Sequence, residues 1–368
     1  MNRTPFIDHI RVLLTALVVL HHTALVYGAV GAWYLRDAHE GSSRVLTLFC
    51  TLNQAFFMGF FFLLAGYFTP AAYDRRGPAR YAIDRLRRLG LPLLAYACVL
   101  DPFTVALAHA NSFTELLTIW WRRTEHGAFS SGPLWFVETL LIFAGFYMIW
   151  RAIAGTNREG SERLPGHVAL LLAALLVGAA AFLLRLAFPV GETVSNLQFG
   201  YFSSYIVLFA VGIMAARGSW LERVRFPLVW RWLCIAVLSL AMLLAADRLQ
   251  GGDFRGGWSV KAVIYAFFEP FFAWGVILGL LYLFRTRFSA PGRWTGFLAA
   301  RAYTIYVIHP PVVVAVTLLL WRWHQPGLIE FVVAGALSCC LCVLLSTVLV
   351  MLGTVFANAR AQAYRVGT

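Results

Sequence analysis

Ten stretches of about 20 mostly apolar residues constrain this chain more than anything else in it, because a helix of that length crosses the hydrocarbon core of a bilayer. They cover roughly 8–29, 46–69, 89–110, 133–152, 167–188, 199–216, 227–246, 262–284, 297–319 and 328–353 of the 368 residues. The predicted fold is therefore an all-α polytopic membrane helical bundle of about ten transmembrane helices, forming one integral-membrane domain over residues 1–368. Composition agrees. Hydrophobic residues make up 60% of the chain and charged residues 13%, against about 45–50% and 25% in soluble domains. Disorder, a secreted disulfide scaffold and an ordinary cytosolic enzyme are excluded. The first run is read as a span rather than a signal peptide, since it is long, carries Asp8, Arg11, His21 and His22, and lacks a small-x-small cleavage site.

The net charge of +13 does not indicate nucleic acid. The basic residues lie in short connections between apolar runs, as the positive-inside rule requires. With the N-terminus inside, the inner segments, from Arg3 through Arg158 to Arg365, hold twenty basic residues and the outer segments nine. Both termini are thus expected in the cytoplasm. The six cysteines all lie in apolar runs. The Cys339, Cys340 and Cys342 group is read as small packing residues, and no metal site is expected.

Ionisable groups inside spans are costly and mark function. Arg11 and His22 are eleven residues apart on the first span, so at 100° per residue they share a face, separated by a rise of about 16 Å. Asp8, three residues before Arg11, can pair with it. His21 points about 100° away from His22 and is the weaker base candidate. Glu138, Glu269, Asp101 and His309 fall in other spans. With His22 they suggest a polar cavity below the outer surface; helix–helix hydrogen bonding is the plainer alternative. The inner connection 71–88 carries Arg75, Arg76, Arg85 and Arg88 among six arginines. Such a cluster either binds lipid headgroups or receives phosphates through bidentate charged hydrogen bonds. The outer connection 111–132 carries Trp120 and Trp121, which fit interfacial anchoring or stacking on sugar rings.

The run FIDHIRVLLTALVVLHH resembles the opening helix of the membrane-bound acyltransferase-3 family, marked by a basic residue, ten residues, then His; here these are Arg11 and His22. Arg85-Leu-Arg-Arg88 is similar to the family's RxxR element, GPLWFVETLLIF (132–143) to its fourth-span motif and AYTIYVIHPPVVV (302–314) to its ninth. The resemblance covers essentially the whole chain, and the stretches FFFLLAGYFTPAAYDRRGPARYAIDRLRRLGLPLL (60–94) and FGYFSSYIVLFAVGIMAARGSWL (199–221) look like the branch of glucan succinyltransferases.

The resemblance implies a multi-pass enzyme of the bacterial cytoplasmic membrane. It would transfer an acetyl or succinyl group from cytosolic acyl-CoA, a co-substrate rather than a resident cofactor, to a hydroxyl of an extracytoplasmic carbohydrate. In that reading His22 is general base or transient acyl carrier, and Glu138 orients its imidazole or stabilises its cation. Arg11, held by Asp8, meets the donor, Arg75, Arg76, Arg85 and Arg88 bind its phosphates, and Trp120 and Trp121 meet the acceptor. His309 and Glu269 are further candidates. Buried acids and histidines in ten helices also describe a transporter or flippase, which acyl-transfer assays separate from an enzyme.

Overall fold

The computed structural model describes residues 4–37, 40–155 and 163–366; Arg3 and Arg158, counted above, lie outside them. Among the described residues the chain is all-α, and ten helices are long and apolar enough to cross a membrane. They are α1 (Pro5–Val26), α2 (Glu40–Arg76), α3 (Pro78–His109), α5 (Trp135–Ala154), α6 (His167–Ala187), α7 (Phe202–Gly218), α8 (Phe226–Ala246), α9 (Val260–Arg287), α10 (Arg293–Leu320) and α11 (Gly327–Val366). A shorter helix, α4 (Phe113–Glu125), lies between the third and fourth spans. The apolar runs of the sequence find all ten spans, because a bilayer demands about 20 apolar residues per crossing; the helices themselves run longer in places, the third starting at Pro78 rather than near 89 and the last continuing to Val366 rather than ending near 353.

Both long connections depart from the sequence reading. Residues 71–88 are not a loop: α2 continues to Arg76, and α3 begins at Pro78. Only Gly77, at φ 73°, interrupts the helix. Glycine tolerates that left-handed geometry, and proline suits a first helical turn because its missing amide would be unbonded there anyway. Within α3 the bonding widens into π turns at Leu86–Gly90 and Tyr96–Leu100. Pro92 and Pro102 lie just beyond them, and each removes an amide from the ladder. The outer connection contains α4, capped by the Ser112 hydroxyl, which accepts from the Glu115 amide at 3.2 Å. The Glu115 carboxylate in turn accepts from the Asn111 amide at 2.8 Å, a variant of the reciprocal capping box.

The chain divides into two compact units. Unit 1 comprises residues 1–10, 51–97 and 130–290. In it α2 and α7 meet at backbone distance: a methyl group at Gly66 would strike the Phe209 carbonyl, and one at Gly212 the Leu63 carbonyl. Small residues at such crossings give the close packing that replaces the hydrophobic drive in a membrane. Two arginines that enter the topology count as loop charges are buried helix residues here. Arg185 of α6 pairs with Glu269 of α9 and donates to the Gly200 carbonyl at 3.0 Å. Its guanidinium also lies over the Tyr201 and Tyr265 rings. Arg151 of α5 pairs with Asp74 at 2.7 Å and donates to the Tyr147 hydroxyl at 2.9 Å. A charge in an apolar bundle persists only with such partners.

Unit 2 comprises residues 11–50, 98–129 and 291–368. Its core gathers Val19, Leu25, Cys50, Ile308, Val312 and Cys342, with Cys339 packed against it, so these cysteines are packing groups. The last stretch of α3 lies against α10, and α10 against α11.

Candidate active site

His22 is four residues from the end of α1, and the turn that follows brings an aromatic residue back over it. The turn is held by the Ala29 amide donating to the Ala24 carbonyl at 2.9 Å and by Asp37 N–H donating to the Val26 carbonyl at 3.0 Å. Arg36 clamps it from outside, donating to the carbonyls of Ala29 at 3.1 Å and Gly31 at 3.2 Å. Gly28 at φ 134° and Gly31 at φ 151° take the sharp bends, which side chains with a Cβ rarely allow. The result stacks Trp33 on the His22 imidazole, ring centroids 4.3 Å apart and planes 23° from parallel.

The other partner of His22 comes from α10. His309 is fully buried, and its Nε2 lies 3.0 Å from His22 Nδ1. The Nδ1 of His309 lies 2.6 Å from the Tyr306 carbonyl, and the Nδ1 of His22 lies 3.0 Å from the Val18 carbonyl one turn back in its own helix. The cluster extends through Trp33 to Tyr34, edge to face at 5.1 Å. The Tyr34 hydroxyl donates to Asp101 Oδ1 at 2.5 Å. Unit 2 therefore brings together three of the sequence candidates, His22, Asp101 and His309, and adds Trp33 and Tyr34. Nothing in the sequence marks those two: a Trp-Tyr pair after a glycine turn looks like interfacial anchoring. His22 itself is a partly exposed residue, backed by the fully buried His309. His21 is edge-on to His22 at 5.5 Å.

The remaining candidates have other surroundings. Arg11 lies in the second turn of α1 and Asp8 in its first. Glu138 is in the first turn of α5. Glu269 is committed to the ion pair with Arg185. Trp120 packs edge-on against Phe103 at 5.7 Å, whereas Trp121 is 70% exposed, so the two tryptophans have different environments. On α4, Phe113, Leu117 and Trp121 are all exposed at a spacing of four, which forms one apolar stripe.

In unit 1 the helical reversal at Gly77 assembles an arginine cleft of about 300 Å³, lined by Arg75, Arg76, Arg85 and Arg88 with Asp84, Phe68, Ala71 and Ala72. All four arginines singled out in the sequence face one space. Asp84 forms ion pairs with Arg76 and, at 2.8 Å, with Arg88 Nε. Arg85 lies over the Tyr81 ring at 4.9 Å, a cation–π contact that fixes its direction. Four guanidinium groups against one carboxylate leave the cleft strongly positive, and planar forked donors match phosphate oxygens.

A family model described as "Acyltransferase domain", Acyl_transf_3, matches residues 4–347. The chain is 26% identical over 338 residues to proteins named "Glucans biosynthesis protein C" from Salmonella paratyphi B, Salmonella heidelberg and Salmonella dublin, covering 84% of this chain and 82% of each relative. No solved structure matches it.

Proposed function

Because this chain belongs to the acyltransferase-3 family and is a multi-pass bacterial membrane enzyme that transfers acyl groups, we propose that its donor is a cytosolic acyl-CoA and its acceptor a hydroxyl of an extracytoplasmic carbohydrate. His22 is the general base. The observation that carries this reading is the imidazole pair: a partly exposed His22 held at 3.0 Å by a fully buried His309. A positioned imidazole suits removal of a hydroxyl proton near neutrality. In the reaction the acceptor hydroxyl gives its proton to His22, and its oxygen bonds to the thioester carbonyl carbon. The tetrahedral species then expels the thiolate, which recovers the proton from His22 to leave as free CoA thiol.

The arginine cleft supports an anionic donor, since acyl-CoA carries several phosphates and Arg75, Arg76, Arg85 and Arg88 all line one space. The excess of basic residues on one set of connections supports a cytoplasmic position for this cleft. The names of the relatives support a glucan as acceptor. Residues 1–368 are read as a single catalytic domain. Two assays test the reading: acyl transfer by purified protein given acetyl-CoA or succinyl-CoA with glucan, and mass spectrometry of surface glycans from cells carrying His22→Ala. Acylated glycans are expected with the wild type and absent with the variant. Unchanged acylation in the variant overturns the assignment of His22, and glycan movement without acyl transfer would identify a transporter.

A further inference from the structure

We propose that His309 is a positioning residue that fixes the proton of His22 on Nδ1, so that Nε2 of His22 is the atom that takes the acceptor's proton. The inference rests on the reading of His22 as base. It begins at the Tyr306 carbonyl, 2.6 Å from His309 Nδ1. A carbonyl oxygen only accepts, so His309 Nδ1 carries the proton and, in the neutral ring, Nε2 carries the lone pair. That lone pair points at His22 Nδ1, 3.0 Å away. The second neighbour of His22 Nδ1, the Val18 carbonyl at 3.0 Å, also only accepts. Two acceptors meet at one nitrogen, and that nitrogen must be the donor.

The opposite assignment fails at two places. With the proton of His309 on Nε2, its Nδ1 lone pair would face the Tyr306 oxygen. With the lone pair of His22 on Nδ1, that pair would face the Val18 oxygen. Each is a contact between two acceptors, and the one at the fully buried His309 has no water to relieve it, so the unmatched polar groups are costly. The stacked Trp33 ring, 4.3 Å from the imidazole centroid, leaves His22 little room to rotate out of this register. Nε2 is the remaining nitrogen of a side chain that is itself partly exposed. When Nε2 takes the hydroxyl proton, the cationic ring keeps its Nδ1–H directed at the His309 lone pair, a charge-assisted hydrogen bond stronger than the neutral one. The logic is that of an orienting group behind a catalytic histidine, with an imidazole tied to a backbone carbonyl in the place usually taken by a carboxylate.

Nitrogen-15 spectra of histidine-labelled, detergent-purified full-length protein test this without any substrate, the His22 signals being identified by their loss in His22→Gln. The expected spectrum has a protonated Nδ1 and an unprotonated Nε2 on neutral His22; the reverse overturns the proposal. Kinetics supply the second reading. His309→Leu should lower kcat about 100-fold, the low end of what a positioned base contributes, with the KM for acyl-CoA unchanged. His309→Gln, whose side-chain oxygen can still accept from Nδ1–H, should restore most of that loss. Wild-type kcat in His309→Leu, or equal impairment in the Leu and Gln variants, overturns the positioning role. Should His22→Gln prove active, His22 is not the base, and the nitrogen assignment is judged by the spectra alone.

Discussion

The two basic clusters of this molecule are built in opposite ways. In unit 1, four arginines line an open cleft, and Arg75 and Arg88 are exposed. Their charges are permanent and hydrated, and they attract through a field that any anion of suitable shape can answer. In unit 2, two imidazoles meet at 3.0 Å, one fully buried and one partly exposed. They are joined by a directed hydrogen bond, which a low-dielectric interior strengthens. Depth decides which use a basic side chain can serve. Near water, charge collects a ligand; inside the bundle, a neutral ring with an aimed lone pair can do proton chemistry.

Three experiments press on this contrast. The largest effect belongs to the imidazole: His22→Gln keeps a hydrogen-bonding side chain but no base, and kcat should fall by about 10²–10⁴-fold while donor binding persists. A parallel rise in the KM for acyl-CoA would mean that the two sites do not divide the work in this way. Next comes the cleft. Arg85→Gln combined with Arg88→Gln should raise the KM for acyl-CoA by roughly tenfold or more, since a hydrogen bond to a charged group contributes about 1.5–3 kcal/mol, with kcat nearly unchanged. Loss of kcat at unchanged KM would remove these arginines from donor binding. The smallest effect is that of salt. Raising ionic strength toward 1 M shortens the screening length to about 3 Å. The KM for acyl-CoA should therefore climb severalfold in the wild type, with a shallower climb in the double Gln variant. A salt-dependent kcat would place solvated charge in the chemical step.

A fourth test concerns the ion pair of unit 1. Glu269→Gln leaves Arg185 buried without its counter-charge, and breaking such a pair costs about 3–5 kcal/mol. Thermal unfolding in detergent should occur at clearly lower temperature. Unchanged stability together with lost transfer would return Glu269 to the list of catalytic candidates.

The sequence alone determined the span count, because twenty apolar residues in a row have one stable fate in a bilayer. It also determined that Arg11 and His22 share a face, because helical geometry fixes neighbours at that spacing, and it singled out Arg75, Arg76, Arg85 and Arg88 before their cleft was visible. Only the tertiary structure decided the rest. His22 and His309 are separated by 287 positions, and no local periodicity pairs residues so far apart. Trp33 stacks on His22 because a glycine-rich turn folds back under Arg36; its side chain chemistry alone reads as a membrane anchor. Arg185 and Glu269 carry opposite charges on helices 84 positions apart, so one reads as a topogenic loop charge and the other as a candidate acid until packing joins them. The segment around Gly77 reads as a loop since its charges suit water, yet it is helical on both sides. Local pattern fixes which residues are helical and which face they share. Which faces meet is set by packing between distant segments, and the tautomer of the central imidazole depends on that packing.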